Sequence, residues 1–72
     1  MNAYSVELRS VETKRVIASQ QISADAGSVQ RRNLAERLCR RYSDPRDCYV
    51  VEYEHDTASP VAEKSVINKY QL

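Results

Sequence analysis

The residues of this chain that can do chemistry are few and scattered. His55 is the single histidine, and Cys39 and Cys48 are the two cysteines. General acid–base catalysis needs a positioned titratable group and usually a second one tuned differently. His55 sits beside Asp56 in a stretch that reads as a loop, and it reads as a surface histidine. A serine or cysteine nucleophile needs a base held nearby, and no GxSxG turn marks one. The single glycine, Gly27, excludes a glycine-rich phosphate loop. Cys39, Cys48 and His55 make three ligands at no zinc spacing. The two cysteines read instead as reduced, half-buried thiols, because nothing in the sequence directs the chain to an oxidising compartment. The expectation is a binding protein with no catalytic centre, no cofactor and no metal.

Charge is the stronger signal. The net charge is only +1, yet it is laid out unevenly. Residues 26–42 hold Arg31, Arg32, Arg37, Arg40 and Arg41 against Glu36, a balance of +4. Residues 43–56 hold Asp44, Asp47, Glu52, Glu54 and Asp56 against Arg46, a balance of −4. Guanidinium groups suit phosphates and acidic protein surfaces alike, and an acidic patch suits a basic groove. Arg32, Arg37, Arg40, Arg41, Glu52, Glu54 and Asp56 are therefore the candidate partner-binding residues. The bland alternative is a solvated helix followed by the ordinary polar side of a strand, with ion pairs of little individual worth. Against nucleic acid stand the near-neutral total and the absence of a known reader motif.

The elements that must position these groups follow from periodicity. Tyr4, Val6 and Leu8 alternate with Ser5, Glu7 and Arg9, the period of a half-buried strand. Val16 to Ile22 forms a second strand, and the two make an antiparallel hairpin. Asp25 or Ser28 offers an N-cap for a helix. Leu34, Ala35, Leu38, Cys39 and Tyr42 then form one apolar stripe that packs on the hairpin. On the same wheel Arg37, Arg40 and Arg41 share the solvent side with Gln30 and Asn33. Arg32 lies on the flank beside Glu36, and Arg31 lies near the stripe with its stem free to cover apolar surface. Pro45 stops the helix. Cys48 to Glu54 is the clearest strand, with Tyr49, Val51 and Tyr53 on one side and Val50, Glu52 and Glu54 on the other. Glu52 and Glu54 are taken as the outward side, and at least two of the five tyrosines are expected in the core. Residues 57–72 form either a weak last strand, Lys64 to Tyr70, or a mobile tail.

The fold expected is a single small α+β domain, β-β-α-β(-β), with one helix on an antiparallel sheet. A chain of 72 residues buries only about 60% of its unfolded surface, which leaves little room for a deep pocket and no small-molecule substrate site. No apolar run approaches the roughly 18 residues of a membrane span, and the first residues carry no basic-then-apolar leader. A cytoplasmic monomer is expected.

The run from Tyr4 to Tyr53 joins an opening hairpin, the connection from Ile22 to Ser28, a helix carrying Leu34-Ala35-Glu36-Arg37-Leu38, and a return strand. This arrangement resembles small phage-encoded host-takeover proteins, and most of all the short RNA polymerase-binding transcription regulators of Xanthomonas-infecting phages. It is a pattern of residue classes without a diagnostic motif, so no binding residue is carried over. The resemblance implies a non-enzymatic regulator that docks on bacterial RNA polymerase and inhibits or redirects host transcription. Two alternatives stand beside it: a nucleic-acid-binding protein using the arginine-rich helix, and an anti-CRISPR protein.

Overall fold

A computed structural model describes residues 2–56 and 64–72, with side chains placed for 3–55 and 64–72. The chain runs β1 (Asn2–Ser10), β2 (Val16–Ile22), α1 (Ser28–Tyr42), a short 3-10 turn (Pro45–Asp47), β3 (Cys48–Asp56) and β4 (Lys64–Tyr70). The strands form one antiparallel sheet in the order β2-β1-β3-β4. The last strand is thus present over the span that the sequence suggested, and the part of the tail alternative covering residues 57–63 lies outside the described residues. No described helix is long and apolar enough to cross a membrane.

The β1–β2 turn closes through Lys14 N–H on the Ser10 carbonyl at 2.9 Å. Lys14 has φ of 64°, the left-handed region that costs a residue with a Cβ about 1–2 kcal/mol. Lys14 adopts that conformation in a stretch with no Asn-Gly or Asp-Gly to mark the turn.

The N-cap of the helix is Gly27, not Asp25 or Ser28. Gly27 supplies no side-chain cap, and its own N–H donates to Gln30 Oε1 at 3.3 Å. Pro45 ends the run as expected, with Asp44 accepting from the Arg46 N–H at 3.0 Å at the start of the 3-10 turn.

The helix lies over β1 and β2 and reaches β3. The core is Val6 and Leu8 from β1, Leu34, Ala35, Leu38 and Cys39 from α1, and Cys48 and Val50 from β3, with Ala18, Ile22, Tyr70 and Leu72 against it. Burial of each larger aliphatic side chain contributes about 2 kcal/mol. Tyr42 does not join the stripe. It is 52% exposed at the last helical residue, where α1 has run past the surface it packs on. None of the five tyrosines is fully buried, so the core is aliphatic and thiol. Two layers account for the smallest dimension, 17 Å. Among the described residues, no helix lies over the second face of the sheet.

Candidate interaction surfaces

The register of the two central strands decides which side chains meet the helix. Leu8 pairs with Val50, and Val6 with Glu52. Partners in an antiparallel ladder share a face, so Val6 and Leu8 bring Val50 and Glu52 under α1. Glu52 is accordingly buried, at 2% exposure, and the expectation that it faces outward is corrected. Arg31 holds it there. Its Nε donates to Glu52 Oε1 at 2.5 Å and its Nη1 to the Ala26 carbonyl at 3.1 Å. Its guanidinium lies 4.4 Å from the centre of the Tyr4 ring, and Asn68 Nδ2 donates to Glu52 Oε2 at 3.3 Å. Arg31 is a charge one turn before Leu34, in line with the apolar stripe, and Glu52 is the opposite charge that the fold places beneath it. With its oxygens engaged inside the fold, Glu52 is removed from the partner-binding surface.

The rest of the acidic stretch is dispersed. Glu54 is half-buried and stands opposite Tyr4 and Ser65 in the ladder. Asp56 ends β3 opposite Asn2. Asp44 pairs with Arg46 Nη2 at 3.1 Å, and hydrogen bonds from the Arg46 side chain, then its backbone N–H, hold the Asp44 carboxyl below the usual range. The local balance of −4 is a feature of the sequence and does not form one surface.

The arginines do form one. Arg32, Arg37, Arg40 and Arg41 are all exposed on α1. Arg32 contacts Glu36 at 3.8 Å and lies 5.0 Å from the Tyr70 ring, while Arg41 lies 5.4 Å from the Tyr42 ring. Arg37, Arg40 and Arg41 have no ion pair among the described residues. These three project from the side of α1 away from the buried Leu34, Ala35, Leu38 and Cys39, as the wheel anticipates. At the other end of α1, Val29 in the first turn is 71% exposed.

A second surface was not anticipated. The face of the sheet opposite α1 carries Ser5, Glu7 and Arg9 from β1 opposite Tyr53, Val51 and Tyr49 from β3. Tyr49 and Tyr53 are half-buried. Lys14 and Lys69 place their ammonium groups 5.5 and 5.0 Å from the centre of the Tyr49 ring, and Lys64 lies 6.0 Å from that of Tyr53. Glu7 is engaged by Arg9 and accepts from the Tyr53 hydroxyl at 3.2 Å. The sequence signal was available in Tyr49-Val51-Tyr53, but those three were expected under the helix.

His55 also departs from expectation. It is the penultimate residue of β3, 7% exposed, and its Nε2 lies 3.1 Å from the Ser5 hydroxyl. A serine on a histidine is the start of a nucleophile–base pair. Ser5 is only 3% exposed, however, so a substrate carbonyl has no approach to it, and the contact satisfies two buried polar groups. Cys39 and Cys48 are more deeply buried than expected, at 1% and 0% exposure, as free thiols with Sγ atoms 3.2 Å apart. Burial first, then the hydrogen bond with Cys48, pushes the Cys39 thiol up to about 11. It is therefore a poor nucleophile near neutrality. Tyr70, whose buried hydroxyl has no hydrogen-bond partner among the described residues, is pushed up to about 12, by burial first and then by the Glu52 carboxylate. Among the described residues no group of three His, Cys, Asp or Glu side chains is placed to hold a metal. Comparison with family models, curated proteins and solved structures returns no match to this chain.

Proposed function

We propose that this chain is a non-catalytic regulator that docks through the arginine face of α1 on an acidic surface of a bacterial macromolecular machine, with RNA polymerase the partner. The observation that carries the reading is the split among the helix arginines. Arg31 is consumed inside the fold, and Arg32 is partly satisfied by Glu36 and Tyr70. Arg37, Arg40 and Arg41 are exposed without an internal counter-ion among the described residues. Three like charges on one side of a short helix repel one another, and an acidic partner relieves that repulsion and steers encounter. The choice of RNA polymerase rests on the resemblance to phage takeover regulators. Regulation follows from occupancy, since a domain on that surface excludes another factor.

Promoter-dependent transcription by purified bacterial RNA polymerase holoenzyme, with increasing amounts of the protein, tests this. Dose-dependent inhibition is expected, lost when Arg37, Arg40 and Arg41 are all changed to Glu in a chain that keeps its circular dichroism and unfolding midpoint. Inhibition undiminished in that folded variant removes the arginine face from the mechanism. Absence of inhibition, with capture of an RNA-guided nuclease complex instead, moves the chain to the anti-CRISPR reading.

A further inference from the structure

The face of the sheet opposite α1 brings Lys14, Lys64 and Lys69 to the rings of Tyr49 and Tyr53. We propose that it binds single-stranded nucleic acid, with bases stacking on Tyr49 and Tyr53 and phosphates held by Lys14, Lys64 and Lys69.

Three observations carry this. First, Tyr49 and Tyr53 lie on the same side of β3, four residues apart. At about 3.3 Å per residue that is roughly 13 Å, so each ring can take its own base, with Val51 buried between them. Second, every ammonium near these rings comes from a different part of the chain: Lys14 from the β1–β2 turn, Lys64 and Lys69 from the two ends of β4. The acid on the face, Glu7, is already occupied by Arg9 and the Tyr53 hydroxyl. The face thus presents aromatic rings within a cationic rim, the complement of an unpaired polyanion whose bases are free to stack. Third, Lys14 holds a left-handed conformation that glycine would adopt without strain. The residue present there instead reaches the Tyr49 ring.

Exposed lysine–tyrosine contacts are weak, so a base readily displaces an ammonium from a ring toward the adjoining phosphate. A duplex offers no unstacked base to these rings. An acidic peptide could satisfy the lysines but leaves the rings without a role. Because α1 lies on the other side of the sheet, this site is independent of the arginine face, and both can be filled at once.

The test is anisotropy of a labelled single-stranded oligothymidylate of about a dozen nucleotides at 50 mM salt, with quenching of the intrinsic tyrosine fluorescence as a second readout. Saturable binding with quenching is expected, weakening with salt with a log–log slope of about −2 for three lysine contacts. Tyr49→Leu, and separately Lys14→Glu with Lys69→Glu, should each weaken binding about tenfold or more. The variant with Arg37, Arg40 and Arg41 changed to Glu should bind within about twofold of the original chain. If Tyr49→Leu does not fold, the lysine pair, which is exposed, still decides. No saturable binding, equal affinity for the matching duplex, loss of binding only in the arginine variant, or displacement by polyglutamate with no quenching would each overturn the assignment.

Discussion

Arg31 and Glu52 form a buried ion pair whose removal has a calculable, asymmetric consequence. The Arg31 side chain is 14% exposed and that of Glu52 is 3%. Breaking a buried pair from one side costs about 3–5 kcal/mol, because the other charge is left without compensation. The two sides are not equal here. In Glu52→Leu, Arg31 keeps the Ala26 carbonyl at 3.1 Å and the Tyr4 ring at 4.4 Å, which places the cost near the lower end, about 3 kcal/mol. In Arg31→Met, the more deeply buried carboxylate keeps the Asn68 amide, at 3.3 Å, and loses its cation. That change should cost about 4–5 kcal/mol. A chain of 72 residues has about 4–11 kcal/mol in total, so Arg31→Met should be near the edge of folding. The double variant leaves no buried charge and strips one partner each from Asn68 and Ala26, for a cost of about 1–2 kcal/mol. It should therefore be more stable than either single variant. Urea unfolding followed by far-ultraviolet circular dichroism measures all four chains. Singles that each cost under about 1 kcal/mol, or a double whose cost equals their sum, would refute the reasoning.

Other outcomes follow from the same structure. Leu38→Ala, which empties a core position 8% exposed, should cost about 2–4 kcal/mol, whereas Tyr42→Ala should cost under about 0.5 kcal/mol; equal losses by thermal unfolding would return Tyr42 to the core. Gly27→Asp should raise stability by about 1 kcal/mol. Gly27 has φ of −79°, a Cβ there meets nothing within 4 Å, and the first turn of α1 has no acid. The gain should appear as a rise of about 4–8 °C in Tm, and a fall would contradict the cap geometry. Raising pH should destabilise the fold through Cys39. Its folded value, about 11, lies above its ordinary 9.0, so the contribution is complete below pH 9 and is lost as pH rises through 11, by about 2–3 kcal/mol. Tyr70 acts in the same direction, from 10.0 to about 12. Urea midpoints that stay level from pH 8 to 11 would contradict both.

The element order was legible because the apolar period changes cleanly from two in β1 to the helical repeat of α1, and Pro45 marks the boundary. The phase of β3 was not. Tyr49-Val51-Tyr53 is more apolar than Cys48-Val50-Glu52, and alternation alone makes it the inner side. The ladder overrides that preference: once Val6 and Leu8 face the helix, their partners Glu52 and Val50 must follow. The one clue in the sequence was Arg31, a charge in line with the apolar stripe one turn before Leu34, that needs an opposite charge inside. That single inversion moved Glu52 out of the candidate site and put two tyrosines on the open face. It also hid the second surface, whose lysines come from a turn and an edge strand far apart in sequence. The arginine face was readable because helical spacing is local, and Arg37, Arg40 and Arg41 need no tertiary partner to define their side.

The most direct test of the proposed docking is equilibrium binding to purified RNA polymerase holoenzyme, free of nucleic acid, for the original chain and for the variant with Arg37, Arg40 and Arg41 changed to Glu. The account predicts saturable binding that weakens as salt rises and a loss of at least about tenfold in the variant, each reversed charge at a rim mainly slowing association. Binding of equal strength by both chains, or no binding by the original chain at low salt, would contradict it.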